Sequence, residues 1–459
     1  MKTLFITAFH PFISKNILNT NVFKILKNQN GLRVVLLVPA RKKEFFETNY
    51  ASNNITVEGI NLAPFSNSRS NSFFSKMAFF FIYSQWIRYK KRPDYFNAHP
   101  RFYNFFKFYT RLTLTRLLSG HKTINRIFRF FDWHFSPSDF FKEQFDKHKP
   151  DAIFSADVYT DFDQALIKEA KNNNIPVIGM IRSWDNNFSK GLMRFLPDKL
   201  VVNNEVIKKE AIELHNYPEK NIFISGLPQF DDYLKAPFES REEFFRKVGG
   251  NSQKRTILFA PGSHKDAAET NILVCQAFKA AKETGALPKD IQFFVRQHPH
   301  RADDALEKFK NDPDFIVETP GIWFEGNQKY TEFSTEDNIR LIDTIYYSDV
   351  IIWIVTSIGL DSLVFDKPQI AVHFDGLEPK PYWSSIRRMN DEEHMKVFFK
   401  TGGIYLAENI NALISKTAEY LKNPKIDEEG RKKAVLQQLG ILDGKSGERI
   451  ANFILSFLS

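Results

Sequence analysis

The chain has 459 residues, 43% of them apolar and 25% charged, with a net charge of +9, which describes a globular protein with room for two or three domains. One cysteine, Cys275, excludes an internal disulfide framework and a cysteine-built zinc site, so a reducing cytoplasm is the simplest compartment. No apolar run is long enough to span a bilayer, and MKTLFITAFHPF lacks a signal-type cleavage site, so it reads as a first strand.

Residues 1–65 alternate apolar runs (4–8, 33–39, 55–60) with a helical pattern from about Ser14, the βαβ opening of a doubly wound sheet. His10 falls in the first βα loop, a ligand-facing position in such sheets, although a His beside a Pro is commonly structural. Residues 66–135 change character, interleaving aromatics with cations. Between Arg69 and Arg129 there are 13 Lys or Arg against one acid, Asp94, so the rest of the chain sums to −3. Helical spacing aligns Phe105, Tyr109, Leu112 and Arg116. A basic amphipathic surface of this kind suits an anionic membrane leaflet. A solvated helical insertion is the plainer alternative, and nucleic acid is disfavoured because no RNA-binding motif accompanies the charge.

Regular α/β order returns at Pro150, with strands over 152–156, 176–181, 199–202 and 222–225. Asp157 and Asp185 lie just past two of these strands, on the rim that also carries His10. Each could act as a general base toward a bound hydroxyl, or serve as a helix cap. Asp185, within Ser183-Trp184-Asp185-Asn186, has the richer polar setting. Residues 228–253 are polar and broken by Pro237 and Gly249-Gly250, which marks a domain boundary. The expected organisation is an N-terminal domain over 1–235 carrying the 66–135 insertion, a C-terminal domain over 250–440, and a final helix over 441–459.

The second series presents three polar strand ends: Gly262-Ser263-His264, Arg296-Gln297-His298-Pro299-His300, and Thr356-Ser357 after the apolar run 350–356. A parallel sheet gathers such ends on one rim. Cationic Arg, imidazole, hydroxyls and free N–H groups at a helix start form a receptor for phosphate or diphosphate. Asp361, one turn further on, could accept ribose hydroxyls or simply complement the helix dipole. Neither a Walker A sequence nor G-x-G-x-x-G is present, which lowers ATPase and dehydrogenase readings.

The Arg-x-His-Pro at 296–299, the Ser-containing turn before Lys367-Pro368, and SDVIIWIVTSIGLDSLVFDKPQIAVHFDG with DGKSGERIANFI resemble GT-B nucleotide-sugar transferases. They are most similar to the CDP-glycerol glycerophosphotransferase-like and capsule-polysaccharide transferase families. The resemblance covers roughly residues 150–459 and implies two Rossmann-like parallel-sheet domains facing a central cleft. In those families the His-Pro histidine and the Ser/Thr turn hold donor phosphates, here His298, Thr356 and Ser357. The glycerophosphotransferases carry His-Gly-Thr-Pro where this chain has Ser183-Trp184-Asp185-Asn186, which makes Asp185 the natural substitute for a His base.

The expectation is therefore a metal-independent, inverting glycosyltransferase without a bound cofactor. Gly262, Ser263, His264, Arg296, His298, Thr356, Ser357 and Asp361 would bind a CMP-, CDP-, UDP- or GDP-sugar. Asp185, Asp157 or His10 would activate a glycan or lipid-linked acceptor at the inner face of an anionic cytoplasmic membrane. A sugar-nucleotide epimerase of the UDP-GlcNAc 2-epimerase type, whose acidic pattern is not evident here, and a non-catalytic nucleotide-sugar binding protein are the alternatives.

Overall fold

The computed structural model describes residues 1–63, 68–91, 102–299, 301–324 and 327–458. The expected basic residues Arg92 and Arg101, the acid Asp94 and the imidazole His300 fall outside the described residues. The chain divides into two compact units, Met1–Asp231 with Gly440–Ser459, and Asp232–Leu439.

The first unit holds a seven-stranded parallel sheet. Its strands are β1 (Lys2–Thr7), β2 (Leu32–Pro39), β3 (Ile55–Ile60), β4 (Ala152–Ser155), β5 (Val177–Met180), β6 (Lys199–Val202) and β7 (Ile222–Ile224), in the order β3-β2-β1-β4-β5-β6-β7. Successive side chains alternate between two cores. Leu4, Ile6, Val34 and Leu36 fill one face, while Phe5, Val35 and Leu37 fill the other. That double burial is why these strands read as unbroken apolar runs.

The insertion is helical over Arg69–Ala78, Gln85–Lys91, Phe102–Leu118 and Lys122–Phe135. Arg194 ties it to the sheet body. Its Nε donates to Asp132 Oδ2 at 2.7 Å, and Nη1 donates to Asn71 Oδ1 at 2.8 Å, all three side chains being buried. The final helix, Ser446–Ser456, also belongs to this unit. Asp231 accepts the Ser446 and Gly447 N–H groups at 3.0 and 2.7 Å, satisfying donors that a helix start leaves unpaired, and Phe453 stacks on Phe223 at 4.2 Å.

The second unit holds a six-stranded parallel sheet. Its strands are β8 (Arg255–Ala260), β9 (Ile291–Arg296), β10 (Phe315–Glu318), β13 (Val350–Trp353), β14 (Gln369–Val372) and β15 (Ile404–Ala407), in the order β10-β9-β8-β13-β14-β15. A small antiparallel pair, β11 (Ile322–Phe324) and β12 (Asn327–Glu332), stands apart from it and was not foreseen from the sequence. The apolar run 350–356 is not strand throughout: β13 stops at Trp353, and Val355 turns with φ +42°. A left-handed β-branched residue is a strained exception, so the chain reverses there against its local preference.

Candidate functional site

Strands β1, β4 and β5 are neighbours, so the loops after their carboxyl ends share one rim of the first unit. His10 lies in the first loop. Its Nδ1 accepts the Phe12 N–H at 3.2 Å, which leaves Nε2 to carry the proton in the neutral ring. Asp157, in the second loop, is only 2% exposed. Its Oδ2 accepts Arg182 Nε at 2.8 Å and its Oδ1 accepts the Tyr159 N–H at 2.9 Å. The Arg182 guanidinium also lies 5.8 Å from the Phe12 ring centre. Below this pair, burial and the negative charge of Asp157 push Asp163 up to about 7. Asp157 is thus committed to an ion pair and a turn.

Asp185 is placed differently. It is half-buried and precedes the single helical turn Asn186–Ser189. Ser183 Oγ donates to its Oδ1 at 2.5 Å and Ser189 Oγ to its Oδ2 at 3.0 Å. Both hydroxyls donate, so they fix the orientation of the carboxylate. Next to it, Asn186 is 1% exposed, and neither Oδ1 nor Nδ2 finds a hydrogen-bond partner among the described residues. A fully unsatisfied buried amide is uncommon. Nothing in the sequence signals it.

In the second unit β9, β8 and β13 are adjacent, which brings the loops at Gln297–His298, Gly262–His264 and Thr356–Ser357 to one rim. Gly262 exchanges two hydrogen bonds with the buried Asn271 side chain, at 2.9 and 3.0 Å. A Cβ on Gly262 would stand 2.7 Å from both Ala267 Cβ and Ile354 Cγ2, so only glycine fits this approach of chain to chain. Half-buried Ser263 follows it, and His264 Nδ1 lies 3.1 Å from Asp266 Oδ2. Burial holds the His264 imidazole below its ordinary value, against the pull of Asp266. His298 is half-buried, and its carbonyl accepts the Arg301 N–H. The Thr356 and Ser357 hydroxyls have no partner among the described residues, and Ser357 is exposed. The helix behind them is shorter than the sequence pattern implies: one α turn, Ile358–Asp361, passing into a 3₁₀ turn, Ser362–Phe365. Its dipole is correspondingly small.

Two expected donor groups are engaged elsewhere. Arg296 Nη1 pairs with Glu318 on the neighbouring strand, with the arginine side chain 6% exposed. Asp361 is 4% exposed and accepts the Tyr233 hydroxyl. Burial and Asp361 push the Tyr233 phenol well up.

The segment after β14 carries cations that sequence reasoning passed over. Arg388 Nη2 pairs with Asp266 at 3.2 Å, Arg387 Nε with Asp375 at 3.4 Å, and Lys380 with Glu269 at 3.1 Å. The adjacent arginines 387–388, soon after a strand end, were the available signal. Beside them, at the ends of β14 and β15, lies a cavity of about 420 Å³ lined in part by His373, Asp375, Arg387, Glu408 and Asn409. Among the described residues no three His, Cys, Asp or Glu converge to hold a metal.

Two doubly wound parallel sheets, each with polar loops at its carboxyl rim, are the GT-B fold. Solved structures share it. UDP-GlcNAc 2-epimerase from Neisseria meningitidis, bound to UDP-GlcNAc, aligns with TM-score 0.56 at 12% identity over 99% of this chain and 100% of its own. The wall teichoic acid polymerase TagF with CDPG aligns with TM-score 0.53 at 12% identity over 100% of this chain and 88% of its own. The Methanocaldococcus jannaschii UDP-GlcNAc 2-epimerase gives 0.55 at 15% identity, covering 99% and 100%. The profile of the CDP-Glycerol:Poly(glycerophosphate) glycerophosphotransferase family matches residues 182–456, well over half of the chain, and the protein belongs to that family. It is therefore a transferase. No curated protein sequence matches it.

Proposed function

We propose that the protein transfers a sugar from a nucleotide-sugar donor to a hydroxyl of a surface-polysaccharide or lipid-linked acceptor, with inversion and without a metal. The observation that carries the reading is the family match over 182–456, which spans both the Asp185 loop and the donor rim of the second unit. His298, Thr356, Ser357 and the Gly262–His264 loop would hold the diphosphate, and the cavity beside β14 has room for the rest of the nucleotide. Arg296 and Asp361, engaged by Glu318 and Tyr233, would shape this rim from behind.

Asp185 would take the proton of the acceptor hydroxyl as that oxygen attacks the anomeric carbon. The bond from the anomeric carbon to the donor phosphate breaks and the nucleotide leaves, as a diphosphate from a CDP-, UDP- or GDP-sugar and as CMP from a CMP-sugar, its growing charge met by imidazole, hydroxyls and backbone N–H groups. His10, on the same rim, would contact the acceptor.

The insertion supports a peripheral position at an anionic membrane face. Phe105, Phe106, Phe130, Phe131 and Phe135 are exposed among exposed Arg111, Arg116, Lys122 and Arg126. Aromatic rings with cations around them suit the lipid headgroup region. Among the described residues no helix is long and apolar enough to cross a membrane.

The test is a thermal-shift screen of CDP-glycerol and CMP-, CDP-, UDP- and GDP-sugars, followed by product analysis with the donor that binds. Sugar transfer predicts a sugar-linked product and free nucleotide, whereas a glycerophosphate-linked product with CMP from CDP-glycerol would overturn sugar transfer in favour of glycerophosphate transfer. Isomerised nucleotide sugar would instead establish an epimerase, binding without turnover a carrier, and no shift with any compound would refute the donor site.

A further inference from the structure

The loop that carries Asp185 is gripped from outside by a hydrogen-bond chain of fixed polarity. Its first link is the Met193 N–H, which donates to His215 Nδ1 at 3.1 Å. With that nitrogen accepting, Nε2 carries the ring proton and donates to the Tyr159 oxygen at 3.0 Å. The Tyr159 hydroxyl in turn donates to Asn187 Oδ1 at 2.6 Å. The Asn187 Nδ2 then donates to Glu210 Oε2 at 3.0 Å and to the Ile207 carbonyl at 3.4 Å.

A backbone donor at one end and a carboxylate with a backbone acceptor at the other leave one arrangement of every proton and one orientation of the Asn187 amide. Burial, with Arg129 nearby, holds His215 down at about 3, so the ring stays neutral and the polarity does not reverse near neutral pH. His215 and Asn187 are fully buried. Asn187 lies two residues from Asp185, inside the turn whose Ser189 hydroxyl holds Asp185 Oδ2.

The insertion closes the grip. Arg129 Nη2 donates to the His215 carbonyl at 2.7 Å and its Nε to the Met193 carbonyl at 3.0 Å. Ser84 Oγ donates to the Phe188 carbonyl at 2.8 Å, and the Leu192 N–H donates to the Ala78 carbonyl at 3.0 Å. Every backbone group named between Phe188 and Met193 is thus bound either by an insertion residue or by His215.

We propose that the Met193–His215–Tyr159–Asn187 chain, clamped by Ser84 and Arg129 of the insertion, is a positioning device that fixes the Asp185 carboxylate for proton transfer. This rests on Asp185 being the base. It also gives the 66–135 insertion a part in the chemistry in addition to any surface it offers a membrane. A reacting pair displaced by about 1 Å loses roughly 10²-fold in rate even when the altered residue is remote from the chemistry.

The experiment compares the whole protein with Tyr159→Phe, Ser84→Ala and Asp185→Asn. Turnover is measured with CDP-glycerol and with UDP- and GDP-sugars, alongside hydrogen exchange of the amides over residues 185–193. Tyr159→Phe keeps the ring and removes one O–H. We expect kcat to fall roughly 10²-fold with donor KM within about twofold, and the 185–193 amides to exchange faster. Ser84→Ala, which removes one hydrogen bond to the loop where Tyr159→Phe removes two links of the chain, is expected to give the same split with a smaller fall. A purely structural chain would lower the melting temperature and leave kcat per folded molecule unchanged. That result in both variants, with Asp185→Asn inactive, overturns the proposal. Full turnover by Asp185→Asn overturns the base assignment instead. Where none of these donors is turned over, exchange decides: unchanged protection of 185–193 in Tyr159→Phe overturns the grip.

Discussion

The Asp157–Arg182 pair separates structure from catalysis on the first rim. Both side chains are almost fully buried, at 3% and 6% exposure, with 2.8 Å between Oδ2 and Nε. Removing one partner of such a pair leaves a buried charge without compensation, typically about 3–5 kcal/mol. Asp157→Asn keeps an oxygen for the Tyr159 N–H, so its cost belongs at the low end, about 3 kcal/mol. Arg182→Met leaves the Asp157 carboxylate buried without its cation, with a cost in the same range of about 3–5 kcal/mol. The double variant removes both charges and is expected to recover about 2–3 kcal/mol relative to the sum of the single effects. Urea unfolding of the four proteins measures this coupling, with equal m-values as the check that the unfolded state is unchanged. A coupling below about 0.5 kcal/mol would mean that the pair is not desolvated as the structure has it. If Asp157→Asn instead kept full stability and lost all turnover, Asp157 and not Asp185 would be the base.

Asn186→Leu removes a buried amide whose two polar atoms lack partners, each costing about 1–3 kcal/mol when unsatisfied, so thermal unfolding should show a more stable protein with weaker turnover. A loss of stability would show that the amide is satisfied. The His215 pKa lies near 3 in the fold against 6.5 unfolded, so its contribution is complete above pH 6.5 and is lost as pH falls toward 3. Asp163, near 7 against 3.8, works the other way, its contribution being lost as pH rises from about 4 to 7. Urea unfolding at pH 7 and 5.5 should show His215→Gln losing about 1.4 kcal/mol less than the native sequence over that step, and Asp163→Asn losing more than the native sequence. An identical pH response in all three would refute both assignments. Gly262→Ala sets a methyl 2.7 Å from Ala267 Cβ and Ile354 Cγ2; we expect about 1–3 kcal/mol of destabilisation and a smaller thermal shift with the donor, and an unchanged melting temperature would contradict the close approach.

Much of this molecule is written locally. Apolar runs such as 34–38 and 350–353 mark strands buried on both faces, because alternate side chains fill two cores at once. The strand ends carrying His10, Asp157, Asp185, Gly262 and Thr356 followed from those runs, since polar loops must begin where they stop. The crowding of cations between Arg69 and Arg129 likewise set the insertion apart. The tertiary structure alone decided which charges meet. Arg296 finds Glu318 on the neighbouring strand, Arg182 finds Asp157 past the end of the adjacent strand, and Tyr233 reaches Asp361 from 128 residues away. The last helix returns to the first unit, where Asp231 caps it. Such pairings depend on sheet order and on packing between distant segments, and no local period encodes either. The sequence by itself therefore determined where the polar strand ends stand, and the fold decided which of their charged groups pair with one another.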